Sequence, residues 1–117
     1  MGDSLIVSKS FEFSILIINY CDRLNSQRKF VVSNQLLKSG TSIGANVFEA
    51  QHAESRLDFI HKMKIALKEA NESLYWLMLC EKMKDLDLPK EAIYHLNEII
   101  SILTRIVITS KRNLNKN

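Results

Sequence analysis

Few residues in this chain carry chemistry, and their spacing can be read at once. Arg56 and His61 form an Arg-x4-His pattern. A histidine there can act as acid or base, and an arginine can steady phosphate charge, as RNA cleavage requires. Glu49-x-x-His52 and Asp58-x-x-His61 echo the unit with which helical bundles hold paired iron ions. That chemistry needs two such units on long facing helices plus two further carboxylates. Here both units lie around one connection, so no metal and no cofactor are expected. No phosphate-binding glycine loop, Cys-x-x-Cys or nucleophile elbow occurs. His95 sits beside Leu96 and reads as a boundary residue.

Those residues must be positioned by something, and composition says what. The 117 residues fit one domain, with 46% hydrophobic content, three Gly and one Pro. So few turn formers argue against a many-stranded sheet and for a few long helices. Four segments follow. The first, about 8–24, carries Phe11, Ile15, Ile18 and the Tyr20/Cys21 pair at helical spacing. The second, about 29–50, has an apolar stripe of Val32, Leu36, Ile43 and Val47. Beside it Gln35, Ser39, Ser42, Asn46 and Glu49 recur at steps of four and three and share one face. These short polar groups, with Gly40, Gly44 and Ala45 nearby, suit close helix approach and hydrogen bonds across a contact. The third segment, about 55–84, opens on Ser55-Arg56-Leu57-Asp58, a capping-box pattern. Its apolar face runs from Phe59 through Met63, Ala66, Ala70 and Leu74 to Met78. The fourth, about 89–112, places Pro89 at its first helical position and repeats apolar residues to Val107. Short connections make consecutive helices antiparallel, which gives an all-α, up-down-up-down four-helix bundle.

Such a bundle uses about three apolar positions in seven. Ile15–Ile18, Leu74–Cys80 and Ile99–Val107 exceed that and wrap most of the helix circumference. A single copy is expected to leave part of this surface exposed, and burying it between copies is the simplest remedy.

The second and third segments resemble a known family. Gln35-Leu36-x-Lys38-Ser39-x-x-Ser42-Ile43-x-x-Asn46-Val47-x-Glu49 is similar to the central signature of the bacterial four helix bundle proteins. These are also called intervening-sequence proteins, because they are encoded within large-subunit ribosomal RNA genes. Ser55-x-x-Asp58-Phe59 and Ile65-Ala66-Leu67-Lys68-Glu69-Ala70-Asn71-Glu72-Ser73-x-Tyr75-Trp76-Leu77 continue the match. Lys38 stands where the family usually has Arg, and Ala50 where it usually has Gly. Ala50 removes a favoured helix stop, so the second helix is expected to run further than in relatives. The resemblance implies the four-helix fold and a ring-shaped homopentamer, and it implies no established enzymatic activity. It also implies kinship to the accessory protein of diversity-generating retroelements, which works with a reverse transcriptase and nucleic acid. Its signature positions here are Gln35, Ser39, Ser42, Asn46, Glu49, Asp58, Glu72 and Trp76, read as structural or interfacial.

Charge bears on the partner. The net charge is +3, and no acid follows Glu98. In the expected bundle one pole collects Lys9, Arg56, Lys62, Lys111, Arg112 and Lys116, with Arg105 further up. Multiplied in an assembly, these cations suit phosphate contact with RNA or DNA. Glu12, Glu49, Glu54 and Asp58 dilute the pole, and no aromatic stacking platform stands among the cations. The reading is a non-enzymatic, self-assembling scaffold that binds nucleic acid or a nucleic-acid-handling protein. The alternative is a ribonuclease using Arg56 and His61, whose spacing resembles that of the HEPN family. Cys21 and Cys80 are expected as two reduced, buried thiols of a cytoplasmic protein. No signal peptide and no membrane partner are expected.

Overall fold

A computed structural model describes residues 4–87 and 89–115. It contains α1 (Ser4–Ser26), α2 (Phe30–Ala50), α3 (Arg56–Lys82) and α4 (Lys90–Leu114). α1 packs on α2 and α4, and α3 packs on α2 and α4, while the diagonal pairs do not pack. The result is an up-and-down four-helix bundle, 54 × 21 × 20 Å. The long axis follows from the helices, each 21 to 27 residues at 1.5 Å per residue.

The local signals explain the ends. Ser55 caps α3, its Oγ accepting from the Asp58 N–H at 3.0 Å. The Asp58 carboxylate accepts in return from the Glu54 N–H at 3.2 Å, one residue ahead of the usual capping-box partner. α1 ends in a Schellman turn. The Lys29 N–H reaches the Leu24 carbonyl and the Arg28 N–H reaches Asn25, both at 2.9 Å. Arg28 takes the left-handed conformation there, with φ of 63°. α2 stops at Ala50 despite lacking glycine. The N–H groups of Gln51, His52 and Ala53 each turn back three residues, onto Phe48, Glu49 and Ala50. Pro89 caps α4 rather than opening it; its carbonyl accepts the first helical bond, from Ile93.

The core lies where the four apolar stripes converge. Leu36, Ile43, Val47, Met63, Ala66, Ala70, Leu77, Leu96 and Leu103 are fully enclosed. α1 corrects the sequence expectation. Its inward stripe is Ile6, Phe13, Ile17, Tyr20, Cys21 and Leu24, whereas Phe11, Ile15 and Ile18 are exposed. The helix has two apolar stripes, and only one can face the core. The α4 run is also corrected. Ile99, Ile102, Leu103 and Val107 are buried and Ile100 and Ile106 pack against the core, because α1 and α3 cover that broad stripe from both sides. By length and composition α4 could cross a membrane; in the bundle its apolar side is turned inward.

Small residues set the α1–α2 distance. A Cβ on Gly40 would lie 2.9 Å from Ile17 Cγ2. One on Gly44 would lie 3.1 Å from Ser14 Oγ and 3.2 Å from the Ser10 carbonyl oxygen. Further along, Ser33 Oγ donates to the Cys21 carbonyl at 3.3 Å. The glycines therefore serve the α1 contact, not the polar stripe beside them. Gly44→Ala should destabilise the fold by about 1–3 kcal/mol despite alanine's better helix propensity, because a backbone carbonyl cannot yield as a side chain can. A urea titration followed by circular dichroism measures this; an unchanged or raised midpoint would refute close packing there.

Candidate functional site

Two flanks of the bundle carry the candidate residues, and the first is the seam between α2 and α3. Ser39 and Ser73 face each other across it, fully buried, with their Oγ atoms 2.8 Å apart. Ser73 Oγ also lies 2.9 Å from the Glu69 carbonyl, so both hydroxyls are satisfied in a dry contact. Ser42 and Asn46 do not cross the seam. Each donates to its own helix, Ser42 to the Lys38 carbonyl and Asn46 to the Ser42 carbonyl. Gln35 is exposed. Glu49 pairs with Lys62 of α3 at 3.2 Å. Glu72 accepts from Trp76 Nε1 at 3.1 Å along the outer edge of the same flank. The stripe that spacing placed on one face thus divides by depth. Ser39 lies at the bottom, Ser42 and Asn46 halfway, and Gln35 and Glu49 at the rim.

The predicted basic pole is only partly assembled. Arg56, Lys111 and Arg112 are exposed and form no ion pair among the described residues. Lys62 is taken by Glu49. Lys9 is taken by Glu98 at 3.3 Å, in a cleft between α1 and α4 that also contains Glu12, Glu91 and His95. Arg105 lies further along that groove, beside Leu5, Phe59 and Ile102. Lys116 lies outside the described residues. Arg56 and His61 are both exposed on α3, and the shallow pocket of Phe48, Glu49, His52, Glu54, Asp58 and Lys62 includes neither. The ribonuclease alternative gains no support from this geometry. Of the carboxylates in the two Glu/Asp-x-x-His units, Glu49 is in its ion pair and Asp58 in its cap. Among the described residues no cluster of His, Cys, Asp and Glu could hold a metal ion.

At this point the chain can be set beside known proteins. The profile of the 23S rRNA-intervening sequence protein family matches residues 2–108. The chain belongs to that family. A crystal structure of a protein of unknown function from the S23 ribosomal protein family of Bacteroides thetaiotaomicron is similar to it. The two share 45% sequence identity and a TM-score of 0.82, over 87% of this chain and 97% of that one. The curated proteins contain no match.

The second flank lies between α1 and α2; the sequence marked Ile15–Ile18 as surplus apolar surface but did not place it there. Phe11 is 65% exposed and Phe48 62% exposed, and Ile15 and Ile18 are about half exposed. The Gly40–Ile17 and Gly44–Ser14 contacts fix the register of the two antiparallel helices. By that register Phe11, Ile15 and Ile18 of α1 lie alongside Phe48, Thr41 and Leu37 of α2. The face they form is apolar. The signal was present in the sequence as the second stripe of the first helix.

Cys21 and Cys80 are free and buried, and Tyr20 lies among them, its hydroxyl donating to the Asp87 carbonyl at 3.3 Å. Burial pushes the Cys21 thiol up to about 11 and raises Cys80 as well. The fold therefore holds both thiols protonated more firmly than the unfolded chain does. Their contribution is complete below the ordinary thiol value of 9.0 and is lost as pH rises towards 11. Unfolding midpoints at pH 8 and 10.5 should show a loss in alkali that is smaller in Cys21→Ala. An equal loss in both proteins would contradict the assignment.

Proposed function

We propose that this protein is a non-enzymatic scaffold that assembles from copies of itself and binds nucleic acid or a protein that handles it. The exposed apolar face along α1 and α2 carries the reading. Taking a side chain such as Ile15 or Phe11 fully out of water is worth roughly 1.5–3 kcal/mol. Four such residues on one flank make a contact surface rather than scattered exposure. Tyr75, Met78 and Leu79, in the Leu74–Cys80 run of α3, are exposed as well but lie apart from this face. The family resemblance favours a ring of five.

The nucleic-acid half is supported by the family's tie to 23S rRNA genes and by the unpaired cations Arg56, Lys111 and Arg112. A reverse transcriptase-like protein is a partner of the kind meant. Two buried, reduced thiols suit the cytoplasm.

Size exclusion coupled to light scattering tests the assembly. The wild-type species should have several times the 13.5 kDa chain mass. Ile15→Glu, at an exposed position, should reduce it to the single-chain mass with an unchanged circular dichroism spectrum. A wild-type mass of one chain would overturn the proposal.

A further inference from the structure

The modest net charge of +3 conceals an uneven distribution. The exposed charged side chains of α1 and α2 are Arg23 and Lys38 against Glu12, Asp22 and Glu49. Those of α3 and α4 are eight lysines and arginines against Glu72, Glu81 and Glu91. One half of the bundle is close to neutral and the other is strongly basic.

The pattern within the basic half is sharper still. On α3, Lys64, Lys68, Asn71, Tyr75, Met78 and Lys82 recur at steps of four and three, and all are exposed. On α4, Lys90, Tyr94, Asn97, Ser101, Arg105 and Arg112 do the same, with Ile108 between the two arginines. Steps of three and four keep each set on one side of its helix, so each is a continuous outward stripe. Neither stripe contains an acid. Apart from Glu81, exposed beside Lys82, the acids of these helices are turned or held elsewhere. Glu69 shares the flank of Ser73, which meets α2, and Glu72 is held by Trp76. Glu91 and Glu98 line the cleft with α1; Glu98 also borders the stripe at Tyr94, Asn97, Ser101 and Arg105, where its charge is offset by its pair with Lys9. None of the six stripe cations has an ion-pair partner among the described residues. A solvated helix surface usually mixes Glu with Lys, since opposite charges three or four apart stabilise it. Two adjacent helices that both omit acids present a field suited to a polyanion.

Each stripe also carries an exposed tyrosine, Tyr75 at 57% and Tyr94 at 64%, and an asparagine. Cations, aromatic faces and amide donors interleaved along a strip are the groups that hold a nucleic-acid strand. The cations meet phosphates, and the rings accept unstacked bases. We infer that the outer face of α3 and α4 is a binding surface for single-stranded nucleic acid. Lys64, Lys68, Arg105 and Arg112 contact phosphates there, and Tyr75 and Tyr94 stack on bases. The α4 part of the surface borders α1 at Leu5 and Lys9, but neither stripe includes Phe11, Ile15, Ile18 or Phe48, so assembly through those residues leaves it open.

This rests on the nucleic-acid half of the proposed function and moves its centre from the pole to a face. The test is fluorescence anisotropy with a fluorescein-labelled, mixed-sequence single-stranded RNA of about 20 nucleotides, in 50 and 200 mM KCl. Lys64→Glu with Lys68→Glu should weaken binding at least about tenfold and flatten the salt dependence by about 1.4 in log–log slope. Arg28→Glu with Lys38→Glu, the same charge change on the other half, should leave affinity within about threefold. If the second pair weakens binding as much as the first, the face is wrong while the proposed function stands. If wild type shows no salt-sensitive RNA binding, both the face and the nucleic-acid half of the function fall. Flotation with phosphatidylcholine vesicles containing phosphatidylserine supplies the other arm. Capture by those vesicles without RNA binding would overturn the inference in favour of a membrane surface.

Discussion

The close approach of α1 and α2 at Gly40 and Gly44 is the constraint on which the rest of the molecule depends. Without a Cβ at either position, Ile17 and the Ser10 backbone press directly against α2. That contact uses the inner side of α1 for the core, through Phe13, Ile17 and Leu24. It also commits the second apolar stripe of the same helix to the outside. A wider spacing would let larger side chains fill the seam and turn Phe11, Ile15 and Ile18 towards it. As built, the bundle encloses one stripe of α1 and displays the other.

The opposite seam follows a different logic. Between α2 and α3 the contact is polar at its centre, where the Ser39 and Ser73 hydroxyls meet in a dry environment. Two small hydroxyls permit close packing as glycine does. They add a requirement that each find a partner, which penalises any slip of one helix along the other. The Glu49–Lys62 pair at the rim is partly solvated and contributes little to stability. Its effect is on charge, because it neutralises a lysine that would otherwise join the basic pole. Lys9 is neutralised in the same way by Glu98. The free positive charge is thereby left on the outward sides of α3 and α4.

Much of this was legible in the residues. Four helices, their order and the Ser55 cap came from periodicity and start signals, with every boundary within four residues of its place. The inward stripes of α2, α3 and α4 were readable except at Met78, which was read as part of the α3 face but is exposed, because Leu74–Cys80 is apolar on more than one side. α1 was not, since Phe11–Ile15–Ile18 and Phe13–Ile17–Leu24 fit the same period. Only the glycines on α2 decide between them, and their role needs the neighbouring helix to be seen. The pole was overestimated for a related reason. Counting Lys9 and Lys62 as free cations ignores Glu98 and Glu49, which sequence distance hides and packing brings within 3.3 Å. The stripes on α3 and α4 went unread because a few cations among polar residues, Lys64, Lys68 and Lys82 on one helix and Lys90, Arg105 and Arg112 on the other, look like ordinary solvated surface. Their significance lies in the acids that are missing.

The account holds that the α1/α2 flank is covered by copies of the chain while the outer face of α3 and α4 stays in water. Hydroxyl-radical footprinting of the purified protein, read residue by residue by mass spectrometry, addresses both halves at once. Phe11 and Phe48 should be oxidised far more slowly than their exposure in a single chain allows, with Tyr75 and Tyr94 reacting freely. Full oxidation of Phe11 and Phe48 at the rate of the two tyrosines would contradict it.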